Sequence, residues 1–248
     1  MRLRVIGTGS SGNCYLVEAG SSVLMLDAGM KMQDIRRAVT RPSAVAACLI
    51  THEHMDHARS VYQIAELGIP VVMSAGTYEG VRKENAPICF HLACERSVLS
   101  FGDFTVLSFG TQHDAKEPLG FIIRYKPTGE TLLYATDTYY LAYTFPGIHY
   151  WLVECNYIDE IINQQMDDGE LSISLRKRLL RSHMSLRRLN DALRANDLSK
   201  TRSIVLIHLS DHRSDEEEMV KSVQATTGIE SVCAAAAGMT IPLEINPF

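Results

Sequence analysis

"THEHMDH", residues 51–57, sets five metal-capable side chains, His52, Glu53, His54, Asp56 and His57, into seven positions. Three imidazoles and two carboxylates make a poor core, because burying unpaired polar groups is costly. They make an odd surface too. A cation between them resolves the conflict. The motif follows "AVAACLIT", which reads as a buried strand, and precedes helical spacing over 58–68 that stops at Gly68-Ile69-Pro70. In an extended segment residues i and i+2 share a face, so His52 and His54 aim at one point. Asp56 and His57 fall where the chain turns into the helix and can face a second point close by. A helix N-terminus also favours the Asp56 carboxylate.

Further ligands should sit at other strand ends, where a sheet edge presents side chains to a cleft. His113 follows "FTVLSFGTQ", Asp137 ends "TLLYATD" and His208 follows "SIVLI". By contrast His91, inside "ICFHLA", reads as a strand or core histidine, and His149 as a loop residue.

Outward from these points the chain reads as one domain over residues 1–248. "LRVIGTG", "CYLVEAG" and "VLMLDAG" predict three short antiparallel strands, 30–40 a helix, "PVVMSA" a strand and 76–85 a short helix. From 97 to 135 the pattern is of strands, with "KPTGE" turning a hairpin between "LGFIIRY" and "TLLYATD". "YWLVECN" and "SIVLIHLS" predict buried strands. Residues 158–197 predict helix with a break near Ser182, 214–226 another helix, and the tail one or two strands. That order suggests an α/β layered fold, two sheets packed together with helices outside. "GTGSSG", 7–12, matches a dinucleotide fingerprint, yet a strand follows it rather than the helix whose N-terminus would meet a pyrophosphate. These glycines read as a tight turn near the site.

A hydrophobic content of 46% allows a substantial core, and a net charge of −5 excludes a wholly basic nucleic-acid binder. No apolar run approaches the roughly 18 residues of a membrane span. The start "MRLRVIGTGS" lacks a signal peptide's apolar region, so a cytoplasmic protein without membrane contact is expected. Cysteines 14, 48, 89, 94, 155 and 233 are scattered without C-x-x-C pairing, which predicts reduced thiols and no cysteine zinc site. "LRKRLLRSHMSLRRLNDALR" concentrates Arg176, Lys177, Arg178, Arg181, Arg187, Arg188 and Arg194. It is either a solvated helical face or a phosphate track. It carries no aromatic interleaving that would make a base-stacking platform.

T-H-x-H-x-D-H from Thr51 to His57, with His113, Asp137 and His208, resembles the ligand pattern of the metallo-β-lactamase superfamily over nearly the whole chain. The resemblance implies a four-layer αββα sandwich of two mixed sheets. It implies two divalent ions, zinc or manganese, held by His52, His54, His113, Asp137, Asp56, His57 and His208, with Asp137 bridging and Asp27 supporting the metal loop. "GTGSSGNCYLVEAG" looks like the opening of the YycJ-like (WalJ-type) nuclease subfamily. "SHMS" (182–185), "IHLSDH" (207–212) and the glutamate of "WLVECN", Glu154, are similar to motifs of the nucleic-acid-cutting branch that includes ribonuclease Z. There the first motif's histidine, here His183, serves catalysis. Where ribonuclease Z has an arginine four residues after its last ligand, this chain has His212, then Arg213, and no long inserted arm is visible for transfer RNA.

The chemistry implied is phosphodiester hydrolysis of nucleic acid through a metal-bridging hydroxide, DNA favoured over RNA and exonucleolytic action favoured. Asp56 and His183 take catalytic roles, and Ser185, Ser210, His212, Arg187 and Arg188 handle phosphate. A homodimer is compatible with the sequence. An RNA-processing nuclease is one alternative. A small ester, thioester or lactone hydrolase is another, and it explains the ligands but leaves "SHMS" and the basic stretch unused. A non-catalytic binding module should have lost ligands, yet the whole set is present.

Overall fold

The Gly- and Ser-broken opening of the chain folds into three antiparallel strands, β1 (Arg2–Gly7), β2 (Cys14–Ala19) and β3 (Ser22–Leu26). A computed structural model describes residues 1–83 and 90–243. Cys89, the end of the helix expected over 76–85, and the last residues of the tail lie outside the described residues. The strands described assort into two mixed sheets of seven, and the chain divides into two compact units. One holds Met1–Gly110, Ala115–Glu130 and Ala236–Phe248; the other holds Thr111–Asp114 and Thr131–Ala235.

In the first unit, β3 is followed by α1 (Met32–Ala38) and β4 (Val45–Leu49), which runs parallel to it. Next come α2 (Met55–Ala58), α3 (Val61–Glu66), β5 (Val71–Met73), α4 (Ala75–Val81) and β6 (His91–Leu92). Parallel pairing continues through β5 to β6. The helix expected over 58–68 starts earlier and is broken. Ser60 donates its N–H to the Ala28 carbonyl at 2.8 Å and its hydroxyl to the Met30 carbonyl at 2.7 Å, which pulls the backbone out of helix. His91 is in a strand but exposed, so it is not a core histidine. β7 (Val98–Phe101), β8 (Phe104–Gly110) and β9 (Leu119–Tyr125) form antiparallel ladders. The "KPTGE" turn then closes with Tyr125 N–H on the Glu130 carbonyl.

The second unit holds β10 (Thr131–Ala135), β11 (Tyr150–Glu154), α5 (Asp159–Asp167), α6 (Ile173–Ser182), α7 (Leu186–Arg194), β12 (Ser203–Ile207), α8 (Glu216–Thr227) and β13 (Val232–Ala234). β14 (Thr240–Pro242) returns to pair with β1 in the first unit. β10 to β13 are parallel neighbours. Every residue of β11 and β12 is buried, as an apolar strand in a parallel sheet requires. Each fully buried Val, Leu or Ile there contributes about 1.5–3 kcal/mol. The helical stretch 158–197 breaks twice. One break is the expected one at His183–Ser185; the other follows Asp167, where Gly169 takes φ +74° and Ser172 caps α6. Among the described residues no helix is long and apolar enough to cross a membrane, and five cysteines are free thiols.

Candidate metal centre

Asp27 follows β3 and takes φ +57°, Asp137 follows β10 at φ +46°, and His208 follows β12 at φ +55°. The left-handed region costs a non-glycine residue roughly 1–2 kcal/mol. Strain of that kind persists where the surrounding structure over-determines it, and it gathers at functional sites. Here it turns each side chain out of its strand.

In the first unit the buried Asp27 carboxylate organises the loop from Thr51 to His57. Oδ1 accepts the Thr51 N–H at 2.8 Å and the Thr51 hydroxyl at 3.0 Å, and Oδ2 lies 2.7 Å from His57 Nδ1. That contact places the ring proton of His57 on Nδ1 and leaves the Nε2 lone pair for a cation. His57 Nε2 lies 3.6 Å from Asp56 Oδ2 and 3.1 Å from Asn13 Nδ2. Asn13 is wholly buried. Its side chain accepts the Gly9 N–H at 2.9 Å and donates to the Gly9 carbonyl at 3.0 Å, so the "GTGSSG" turn does sit against the metal loop. A Cβ on Gly29 would fall 1.7 Å from the Asp56 carbonyl oxygen, so only glycine lets the two segments approach. His52 Nε2 and His54 Nδ1 converge to 3.1 Å, with His52 Nδ1 3.0 Å from the Thr51 hydroxyl.

In the second unit Asp137 has one carboxylate oxygen for each of two imidazoles. Oδ2 is 3.6 Å from His113 Nε2 and Oδ1 is 3.4 Å from His208 Nε2. His113 Nδ1 donates to the Ser182 carbonyl at 2.8 Å, which fixes its tautomer. Burial pushes its pKa down, more than neighbouring Asp137 pushes it up, so the ring is neutral and able to ligate. The Asn156 side-chain amide lies 3.1 Å from His208 Nδ1 and donates to the His208 carbonyl at 2.8 Å. Glu154, wholly buried at the end of β11, ties the groups together. Oε2 accepts from Thr138 N–H at 2.8 Å and Met184 N–H at 3.3 Å; Oε1 lies 2.6 Å from His183 Nδ1. Burial opposes charge on His183, but the Glu154 carboxylate and its hydrogen bond overcome this and push the pKa up to about 9.

These residues fit divalent ions. The Asp27 carboxylate and the Ser182 carbonyl hold Nδ1 of His57 and His113, and the Thr51 hydroxyl and the Asn156 amide lie against Nδ1 of His52 and His208. Each of the four Nε2 atoms lies near a second imidazole or a carboxylate oxygen. Mixed imidazole and carboxylate donors are what such ions take. Asp137, Glu154, His183 and His208 each present a potential ligand atom within 4.8 Å of the others. Glu154 and His183 are spent largely on each other. Losing an orienting carboxylate typically costs 10–100-fold in metal affinity. Asp27→Ala is therefore expected to weaken divalent binding by about that factor in calorimetric titration, and an unchanged affinity would refute its role.

Asn13 and Asn156 are missed by sequence reasoning. Their only signal is a lone amide beside an apolar strand. Ser185 is buried and caps α7, accepting the Arg188 N–H at 3.3 Å. Ser210 N–H donates to the Asn156 carbonyl at 2.9 Å, and His212 is exposed. Of the basic stretch, Arg188 donates to the Leu180 and Tyr139 carbonyls at 2.8 and 3.2 Å. Arg187 lies 3.6 Å from Asp159 with a largely exposed side chain, and Arg178 lies 3.6 Å from Asp114.

A profile of the beta-lactamase superfamily domain matches residues 14–209. Exodeoxyribonuclease WalJ of Streptococcus pneumoniae is 26% identical over 259 aligned positions, which cover 97% of this chain and 91% of that one. Among solved structures, YhfI of Bacillus subtilis, a metallo-beta-lactamase fold protein, has a TM-score of 0.73 at 16% identity, covering 96% of this chain and 98% of its own. The short form of human tRNase Z has a TM-score of 0.64 at 14% identity, covering 99% and 100%.

Proposed function

The chain belongs to the beta-lactamase superfamily, and from that premise we propose that it is a nuclease, an exonuclease cutting DNA in preference to RNA. Its fold is the α/β layered sandwich of that family, with two mixed sheets and helices, and it is a metal-dependent hydrolase. In this reading residues 1–248 act as one catalytic domain in the cytosol. His52, His54, His113, Asp56, His57, Asp137 and His208 would hold two divalent ions, zinc or manganese. The ions supply an acidified water, its pKa lowered from ~15.7 to about 7, and neutralise charge on the phosphoryl oxygens.

The observation that carries the reading is the His183–Glu154 pair, 2.6 Å apart, with His183 Nδ1 4.0 Å from Asp137 Oδ2. The Glu154 carboxylate and its hydrogen bond push the His183 pKa up to about 9, which favours the charged ring. A charged donor suits an alkoxide leaving group, which is a strong base and needs a proton. A thiolate, of pKa about 8.5, leaves without one. Phosphodiester cleavage therefore uses His183, and thioester cleavage leaves it idle. The relative WalJ is named an exodeoxyribonuclease, which agrees. Asp56 would support the catalytic water, and Ser210, His212, Arg187 and Arg188 would approach the phosphates, while Ser185, expected among them from the sequence, is buried and holds the start of α7.

Protein loaded with zinc or manganese is expected to degrade a DNA oligonucleotide faster than RNA and to leave a thioester intact; the opposite order refutes the reading. Phosphate contact releases condensed counterions, so DNA affinity should fall steeply with salt. Replacing Arg187 and Arg188 together is expected to flatten that log–log slope by roughly one to two units, equally for all sequences. Fluorescence-anisotropy titrations at several salt concentrations read it directly.

A further inference from the structure

We propose that Tyr140 forms a nucleobase-stacking subsite beside the metal ligands of the second unit. The proposal rests on the nucleic-acid reading above and adds to it the residue that meets the base. Tyr140 lies three residues past Asp137, so the two Cα atoms are within about 11 Å at full extension. A nucleobase stands one sugar away from its phosphate, within reach of a phenol ring so placed.

The backbone that leads into Tyr140 is tied by several hydrogen bonds. Thr138 N–H donates to Glu154 Oε2 at 2.8 Å, and the Thr138 hydroxyl donates to the Tyr140 carbonyl at 2.7 Å. Gln112, which precedes His113, donates its N–H to Thr138 Oγ1 at 3.0 Å and accepts the Tyr139 N–H at 3.0 Å. The preceding Tyr139 ring is half-buried, with the Arg188 guanidinium 5.4 Å from its centroid. Tyr140 itself is 56% exposed. A large aromatic in the core or on a sheet is accounted for by packing; this ring is not. It stands in solvent on a backbone that costs little to order, and preorganisation of that kind favours binding. A phenol face stacks on any base, so such a subsite is tolerant of sequence. It also supplies the aromatic surface that the basic stretch 175–194 lacks.

The test uses metal-loaded enzyme and two single-stranded DNA oligonucleotides. One is normal and the other carries an abasic residue at the terminus being degraded. Wild type is expected to show a KM about ten-fold lower for the normal terminus, in keeping with one base–aromatic stack. Tyr140→Ala should erase that difference by raising KM, not by lowering kcat, on the normal oligonucleotide, and should match wild type on the abasic one. Tyr140→Phe and Tyr140→Trp should restore it, since the ring and not the hydroxyl is used. Equal KM for both oligonucleotides in wild type overturns the subsite. So does a Tyr140→Ala loss that is the same on both, or a Tyr140→Phe variant as impaired as Tyr140→Ala. A wild-type protein that cuts no nucleic acid overturns the nuclease reading and the subsite with it; one that cuts DNA indifferently to Tyr140 overturns the subsite alone.

Discussion

His183→Ala is expected to keep its metal and lose turnover by on the order of 10²–10⁴, the usual worth of a positioned proton donor. The residue caps the end of α6 through its backbone N–H on the Leu179 carbonyl, and its side-chain Nδ1 lies 2.6 Å from Glu154 Oε1. Removing the ring leaves the seven proposed ligands untouched, so metal content separates a catalytic from a structural loss. Wild-type turnover in this variant would return His183 to the role of a helix-end residue. The donor also predicts a pH profile. A raised pKa means the ring is charged below about 9 and loses its proton above it. Turnover therefore falls as pH rises through that value, or through a lower one in loaded enzyme, since nearby dications disfavour imidazolium. Glu154→Gln removes the carboxylate that raises the pKa, so the alkaline limb should move to lower pH. An unmoved limb would contradict the pairing.

Chelation is expected to abolish turnover, by on the order of 10⁴ or more, because water then returns to its ordinary acidity. It should also destabilise the fold. An ion at about a hundred times its Kd adds roughly 2.7 kcal/mol, and for a chain of this size about 2–4 °C accompanies each kcal/mol. A fall of roughly 5–10 °C in Tm, restored by zinc or manganese, is the thermal readout. The cause lies in charges left behind: Asp137, Glu154 and Asp27 are all nearly or wholly buried. A chelated protein with unchanged Tm and unchanged activity would exclude a metal role for these groups.

Much of this was legible in the sequence because it follows local rules. Period-two and all-apolar runs marked β1 to β5 and β7 to β12, and a polar residue after such a run marked His113, Asp137 and His208, whereas Asp27 entered only through the family resemblance. The spacing of His52 and His54 on one extended face put their nitrogens together, and they stand 3.1 Å apart. Helix limits were less legible. The expected helix 58–68 broke because Ser60 bonds to residues some thirty positions back, Ala28 and Met30, and no window on the helix itself contains them.

What only the tertiary structure decided is the set of partners that orient each proposed ligand. Asn13 reaches the metal loop across 43 residues, the Ser182 carbonyl reaches His113 across 69, and Asn156 reaches His208 across 52. The sequence named the ligand types, since residue chemistry is local. Which ring nitrogen carries the proton, which imidazole is charged and which tyrosine is left in solvent depend on groups brought together by sheet register and strand-end turns. Hydrogen bonds and Coulomb interactions act over a few ångströms of space, whatever the distance along the chain.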